Sequence, residues 1–147
     1  MKIVIGSDHA GFPLKKELAA YLRKKGHTVK DVGVFNTRRS DYPDYAQKAA
    51  QCILSGEYER GILSCGSGVG MCISANKIHG IRAVVCTEPY SAVMSRRHND
   101  TNVLCLGSRV VGIELAQMIV DQWLAAEYEG GRHQKRVDKM KRLEDQY

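Results

Sequence analysis

Residues 60–70 read Arg-Gly-Ile-Leu-Ser-Cys-Gly-Ser-Gly-Val-Gly, and this segment is the clearest guide to the architecture of the chain. Its first part, Arg60–Cys65, is a short apolar run of the kind that forms a buried β-strand. Three glycines at alternate positions follow, and a helix is predicted over residues 71–77. A strand joined to a helix by a tight glycine turn is one half of a βαβ unit.

The same alternation of strand and helix extends in both directions from this segment. Strands are predicted at residues 3–5, 27–32, 60–65, 82–86 and 102–106, and helices at about 13–25, 45–54, 71–77, 89–97, 111–126 and 132–145. This order predicts an α/β fold: a three-layer, doubly wound, five-stranded parallel sheet, Rossmann-like, with a C-terminal helix. A length of 147 residues fits a single domain over residues 1–147.

Composition and charge exclude several classes of function. The net charge is +6, but residues 132–142 alone hold six Lys and Arg against one acid, so the basicity is local. This pattern predicts a solvated helix face or a site for a small anion or acidic partner, and not a nucleic-acid surface. No apolar run is long enough to cross a membrane. Five cysteines without CxxC spacing, and no signal-peptide pattern, predict reduced thiols and a cytoplasmic protein.

The glycine loop matches no standard nucleotide-binding signature. A P-loop requires Lys and Ser or Thr after its last glycine, whereas Met71 and Cys72 follow Gly70. A dinucleotide fingerprint has the spacing GxGxxG after the first strand, and a phosphatase loop needs an arginine before Met71. The loop therefore disfavours ATP, NAD and phosphatase chemistry. It still offers backbone N–H groups to an anion, or forms a tight turn without a ligand.

Cys65 is the most informative single residue of the chain. It ends the strand and faces the start of a helix, where loop amides and the helix dipole favour the thiolate form. A thiolate there could act as a nucleophile or as a general base. The alternative is a buried packing thiol, which is what we expect of Cys52, Cys86 and Cys105.

The positions after each strand are where a ligand is expected in such a sheet. Ligands of open parallel sheets bind outside the carboxyl ends of the strands. Asp8 and His9 follow the first strand, and Cys65 follows the third. The segment 96–100 precedes the fifth strand, so we expect His98 close to the same edge. No His, Asp or Glu cluster has metal-ligand spacing on one element, which predicts no metal site.

Five short motifs together resemble a known enzyme family. They are Gly6-Ser7-Asp8-His9-Ala10-Gly11, Cys65-Gly66-Ser67-Gly68-Val69-Gly70, Ser74-Ala75-Asn76-Lys77, Arg97-His98-Asn99-Asp100 with Asn102-Val103-Leu104, and Arg132-His133-x-x-Arg136-Val137. In this order, over the full length, the chain resembles the sugar-phosphate isomerases that include ribose-5-phosphate isomerase type B and the galactose-6-phosphate and allose-6-phosphate enzymes. The resemblance implies an enzyme without cofactor or metal, and a homodimer or tetramer whose active site lies at a subunit interface.

The resemblance also implies roles for individual residues. Cys65 matches the base that moves a proton between C1 and C2 of the open sugar through an enediolate. Some relatives carry a glutamate base where this chain has Met71, so the chain resembles the cysteine subtype. The loop expected to hold the enediolate oxygen is Gly66, Ser67, Gly68, Val69 and Gly70. The implied catalytic residues are Cys65, His98, Ser67 and Asp8.

The remaining residues implied by the resemblance bind the sugar phosphate. His98 matches a residue that opens the furanose ring, with Asp8 and Tyr42 near the ring oxygen and hydroxyls. The expected hydroxyl and phosphate ligands are Asn99, His9, Arg132, Arg136 and Arg109. Ribose 5-phosphate and ribulose 5-phosphate are the leading substrate pair, as in the pentose phosphate pathway. Allose 6-phosphate, galactose 6-phosphate and a non-catalytic sugar-phosphate sensor stay open as alternatives.

Overall fold

The computed structural model describes residues 1–146. Its strands are β1 (Lys2–Ser7), β2 (Thr28–Asp31), β3 (Arg60–Cys65), β4 (Ala83–Val85) and β5 (Val103–Gly107). Its helices are α1 (Phe12–Lys24), α2 (Tyr42–Leu54), α3 (Val69–Ala75), α4 (Pro89–Asn99), α5 (Ile113–Ala125) and α6 (Gln134–Glu144), with a 3₁₀ turn at Gly131–His133. Among residues 1–146, no helix has the length and apolar character needed to cross a membrane.

The five strands form one sheet in the order β2-β1-β3-β5-β4, and every pairing is parallel. Because successive side chains of a strand point to opposite faces, β1 sends Ile3 and Ile5 to one layer and Val4 to the other. The first layer contains apolar residues of α1, α4 and α5, including the buried Trp123. The second contains α2 and α3. The predicted three-layer, doubly wound fold is therefore confirmed.

Several element boundaries differ from the sequence prediction for local reasons. Helix α2 begins at Tyr42, because Pro43 sits in the first turn, where a missing N–H breaks no helix hydrogen bond. Helix α6 begins at Gln134 and not at residue 132. Gly130 and Gly131 have φ values of 60° and 54°, which turn the chain just before it. Arg132 consequently lies in the 3₁₀ turn.

One predicted position is wrong and affects the site directly. Helix α4 continues through Asn99, so the segment 96–100 is the end of a helix and not a turn beside the carboxyl edge. A helix that links two parallel strands runs antiparallel to them, so its C-terminus reaches the amino end of the next strand. The amide of Asn102 accordingly donates to the carbonyl of Arg82, just before β4. His98 therefore lies at the amino edge of the sheet, opposite Cys65.

Candidate active site

A cleft of about 620 Å³ opens at the carboxyl ends of β1, β3 and β5. Its lining residues are Asp8, His9, Ala10, Tyr42, Cys65, Gly66, Ser67, Val69, Gly70, Ile73, Arg109 and Val110. Nine residues that the sequence singled out are among them, since strands β1 and β3 are hydrogen-bonded neighbours. Ala10, Ile73 and Val110 were not predicted, because nothing in an isolated apolar residue indicates that it lines a ligand cleft.

Cys65 lies on the wall of this cleft with only 5% of its surface exposed. The amide of Gly68 donates a hydrogen bond to its Sγ, with a distance of 3.1 Å. Gly68 has a φ of 80°, and a Cβ there would lie 2.9 Å from the carbonyl carbon of Leu106. Glycine is therefore required at this position, and the turn that it allows directs an N–H group at the sulfur.

The other buried thiols lie in a different environment. Cys86 and Cys105 pack in the core, as predicted, with 2% and 0% of their surface exposed. Burial raises the pKa of the Cys86 thiol to about 12. Burial also raises the pKa of Cys105 well above its ordinary value. These two thiols stay protonated at neutral pH and have no role in acid–base chemistry.

Next to Cys65, the glycine loop presents donors to the cleft. Among residues 1–146, no protein acceptor takes the amide hydrogens of Gly66 and Ser67. The guanidinium group of Arg109 lies over Gly66, since a Cβ on this glycine would be 3.3 Å from the Arg109 side chain. The Arg109 amide fixes this arrangement by donating to the Gly66 carbonyl at 3.0 Å. Backbone amides and a guanidinium around one space form a site for an oxyanion.

The opposite wall of the cleft carries His9 and Tyr42. The Ser40 amide donates to Nδ1 of His9 at 3.2 Å, and the His9 amide donates to Oγ of Ser40 at 3.1 Å. This pairing leaves Nε2 of His9 as the nitrogen available to a ligand. The Tyr42 ring packs against Gly70, where a Cβ would approach it to 2.8 Å. Ser40 orients His9 across a long loop, and the sequence carried no signal for this contact.

Asp8 has a structural contact within the same cleft. Its Oδ1 accepts a hydrogen bond from the Gly11 amide at 2.9 Å, which ties the end of β1 to the start of α1. The side chain is 6% exposed and still contributes to the cleft lining. Asp8 is therefore placed where a ligand in the cleft could reach its carboxylate.

Five predicted site residues are not among the residues that line the cleft. Gly68 lies next to it in the loop and contacts Cys65, whereas His98, Asn99, Arg132 and Arg136 lie away from it. The ring of His98 stacks on that of His133, with centroids 4.2 Å apart and an interplanar angle of 11°. Oε2 of Glu129 lies 3.9 Å from Nε2 of His98 and 3.6 Å from Nε2 of His133. We call His98, Glu129 and His133 the amino-edge cluster.

Basic residues surround the amino-edge cluster. The Arg97 guanidinium pairs with Oε1 of Glu129, and Nε of Arg132 lies 3.4 Å from Nε2 of His133. Burial lowers the pKa of His133, and the neighbouring His98 and Arg132 lower it further. The sequence assigned no role to His133 or Glu129, because their contacts with His98 form only when the 3₁₀ turn and the chain before it pack against α4.

Comparison with known proteins assigns the family. A family profile described as Ribose/Galactose Isomerase matches residues 3–140. The chain belongs to this family. The fold and the order of the five motifs agree with this assignment, so the resemblance inferred from the sequence is confirmed.

Individual relatives of this Ribose/Galactose Isomerase family member cover almost its whole length. Ribose-5-phosphate isomerase B of Escherichia coli strain K12 is 59% identical over 143 residues, which are 97% of this chain and 96% of the relative. D-erythrulose-4-phosphate isomerase of Pectobacterium atrosepticum is 46% identical, covering 99% and 97% of the two chains. The structure of Clostridium thermocellum ribose-5-phosphate isomerase B has a TM-score of 0.99 and 54% identity, over 100% of this chain and 99% of the other.

Proposed function

We propose that this chain is an aldose–ketose isomerase that interconverts ribose 5-phosphate and ribulose 5-phosphate, with Cys65 as general base. The observation that carries the proposal is the position of a buried thiol, with a backbone N–H donated to it, on the wall of an oxyanion-binding cleft. The identity of 59% to a ribose-5-phosphate isomerase B supports the reaction class.

The mechanism follows from what this chemistry needs. Isomerisation requires a base for the C2 proton of the open aldose, and the Cys65 thiolate removes that proton and returns it at C1. The proton of the C2 hydroxyl group passes to the C1 oxygen in the same interconversion. The negative charge that develops on the enediolate oxygen requires positioned donors, which the amides of Gly66 and Ser67 provide. Phosphate binding by His9 and Arg109 holds the reacting carbons next to the sulfur. No metal or cofactor has a role in these steps.

Turnover in D₂O tests this mechanism directly. Ribose 5-phosphate is supplied with a chelator and without any cofactor, and the ribulose 5-phosphate formed is analysed for deuterium at C1. A thiol base that exchanges its proton with solvent leaves deuterium in the product. Tight binding without conversion would instead identify the chain as a sugar-phosphate sensor. If the ribulose 5-phosphate formed in D₂O contains no deuterium at C1, the proton is transferred without exchange, and a base that exchanges with solvent is contradicted.

Substrate preference needs a separate measurement, because the relatives are named for different sugars. The Pectobacterium relative is named for D-erythrulose 4-phosphate, and the family description includes galactose. We propose ribose 5-phosphate because the relative named for it has the higher identity of the two. Values of kcat/KM measured side by side on ribose 5-phosphate, D-erythrulose 4-phosphate, allose 6-phosphate and galactose 6-phosphate decide the order. A higher value for any of the other three sugars contradicts this assignment.

We also propose that the working enzyme is a homodimer, or a tetramer built from such dimers, in which one copy completes the cleft of the other. The rim of the cleft is apolar and exposed: Tyr42 is 41%, Val69 47%, Ile73 56% and Val110 55% exposed. Such a contiguous apolar rim favours contact with another protein surface. The amino edge of the second copy would then supply His98, Asn99, Arg132 and Arg136, which cannot reach the cleft of their own chain.

A subunit-mixing experiment tests this arrangement. Cys65→Ala and His98→Asn proteins, each expected to be nearly inactive on ribose 5-phosphate, are unfolded together and refolded as a mixture. In a two-fold dimer with shared sites, each hybrid carries one intact site, so activity returns to about a quarter of wild type. If all site residues came from one chain, the mixture would stay as inactive as its components.

The five free cysteines support a reducing compartment, and we propose a cytoplasmic location for the enzyme. Neither a nucleic acid nor a membrane has a place in the proposed reaction.

A further inference from the structure

The amino-edge cluster has the composition of a metal-binding site. Nε or Nδ atoms of His98 and His133 and a carboxylate oxygen of Glu129 all lie within 4.8 Å of one another. These residues come from the end of α4, from the loop after α5 and from the 3₁₀ turn. Two imidazoles and one carboxylate are a donor set that suits Zn²⁺, Ni²⁺ and related divalent transition metals.

Neighbouring residues fix which ligand atoms of the cluster face one another. Arg97 pairs with Oε1 of Glu129, whereas Oε2 faces both imidazoles. The Glu129 amide also donates to the Arg97 carbonyl at 3.0 Å, which fixes the position of the carboxylate. Nε of Arg132 donates to Nε2 of His133, so this nitrogen carries a lone pair and not a proton.

A rotation of the His98 ring is needed to bring these atoms around an ion, because the stacked imidazoles do not direct their lone pairs at one point. Bonds of 2.0–2.1 Å to a tetrahedral ion place neighbouring ligand atoms about 3.3 Å apart. The distances of 3.6 and 3.9 Å from Oε2 of Glu129 to the two imidazoles are therefore slightly too long. The His98 ring has to tilt out of its stack on His133, and its side chain is 35% exposed, which leaves room for that rotation.

We propose that His98, Glu129 and His133 bind one divalent transition-metal cation per chain, and that the bound ion inhibits the isomerase. The ion occupies the nitrogen that His98 would use on the sugar ring. It also takes the lone pair of His133 that holds Arg132, which changes the position of a phosphate ligand. Binding rests on the donor set of the cluster and on rotation of the His98 ring, whereas inhibition rests on the proposed function of His98.

Binding is measured first, with Ni²⁺ as the probe, because imidazole suits this ion and thiolates compete for it less than for Zn²⁺. Untagged, chelator-treated protein is titrated with NiCl₂ in a calorimeter, and one ion is expected to bind per chain. The variants Glu129→Gln and His133→Asn should each have an affinity for Ni²⁺ at least about tenfold lower. His27→Asn is the matched control, since His27 lies beside the amino group of Met1 and outside the cluster.

A second set of measurements separates this site from the catalytic thiol and from the proposed reaction. Cys65→Ala should keep wild-type affinity for Ni²⁺, and wild-type isomerase should lose activity over the same concentration range in which the ion binds. Unchanged affinity in both cluster variants, or loss of binding in Cys65→Ala, overturns the site. Binding at the cluster with full activity overturns the inhibition. A metal-free protein that never isomerises sugar phosphates contradicts the proposed function and leaves the titration result intact.

Discussion

The cleft around Cys65 and the amino-edge cluster lie at opposite ends of the same sheet and are built in opposite ways. The cleft consists mostly of residues directly after β1 and β3, and backbone amides supply much of its polarity. The amino-edge cluster brings together side chains from three separate segments, held by ion pairs and ring stacking. Backbone geometry fixes the first region, whereas charge and packing between side chains fix the second.

This difference has consequences for how each region responds to mutation. Removing a single side chain in the cleft leaves its amide donors in place, so the effect is confined to the chemistry of that side chain. In the amino-edge cluster each residue orients another, so one substitution alters the position of its neighbours. Salt screens exposed ion pairs, and the cluster should therefore respond to ionic strength more than the cleft does.

The largest expected effect concerns the base in the cleft. Cys65→Ala should lower kcat on ribose 5-phosphate by about 10²–10⁴-fold, because the proton at C2 loses its acceptor. Cys65→Ser should be almost as inactive, since a hydroxyl group ionises far less readily than a thiol. Cys52→Ala on α2, outside the cleft, is the control and should keep its kcat. Full activity in Cys65→Ala would remove the proposed mechanism.

An intermediate effect is expected at the arginines of the amino edge that are proposed to bind the phosphate. Arg132→Ala or Arg136→Ala should raise KM about 10–100-fold, because a hydrogen bond between charged groups contributes about 1.5–3 kcal/mol. Steady-state kinetics with ribose 5-phosphate gives this value. Unphosphorylated ribose, which has no dianion, serves as the matched substrate and should show no such change. An equal loss with both sugars would mean that these arginines maintain structure.

The smallest effect separates two adjacent arginines of α4. Arg97 is exposed and pairs with Glu129, so Arg97→Met should change the free energy of unfolding by less than about 1 kcal/mol. Arg96 is 3% exposed and binds Asp100 and the Thr101 carbonyl, so Arg96→Met should cost more, about 1–3 kcal/mol. Urea unfolding monitored by circular dichroism compares the two variants. Equal costs would show that the exposed ion pairs of the cluster contribute to stability as much as buried ones.

Much of the fold could be predicted from local sequence patterns. All five strands were predicted, and apolar runs indicated β1, β3 and β5 most clearly, since these inner strands are buried on both faces of the parallel sheet. The errors fell at boundaries set by backbone details, such as the position of Pro43 within the first turn of α2. The direction of α4 could have been predicted, because a helix that links two parallel strands runs antiparallel to them. His98 was instead expected near the carboxyl edge, because it is close to β5 in the sequence.

The sequence by itself determined the strand–glycine–helix turn that carries Cys65, because one short segment contains the strand, the glycine loop and the thiol together. It also determined the family, through five motifs in fixed order. Only the tertiary structure decided that His98 lies beside Glu129 and His133. Contacts between residues 98, 129 and 133 depend on how α4 packs against the chain after α5. No short sequence motif predicts that packing, because it results from contacts spread over the buried faces of α4 and α5.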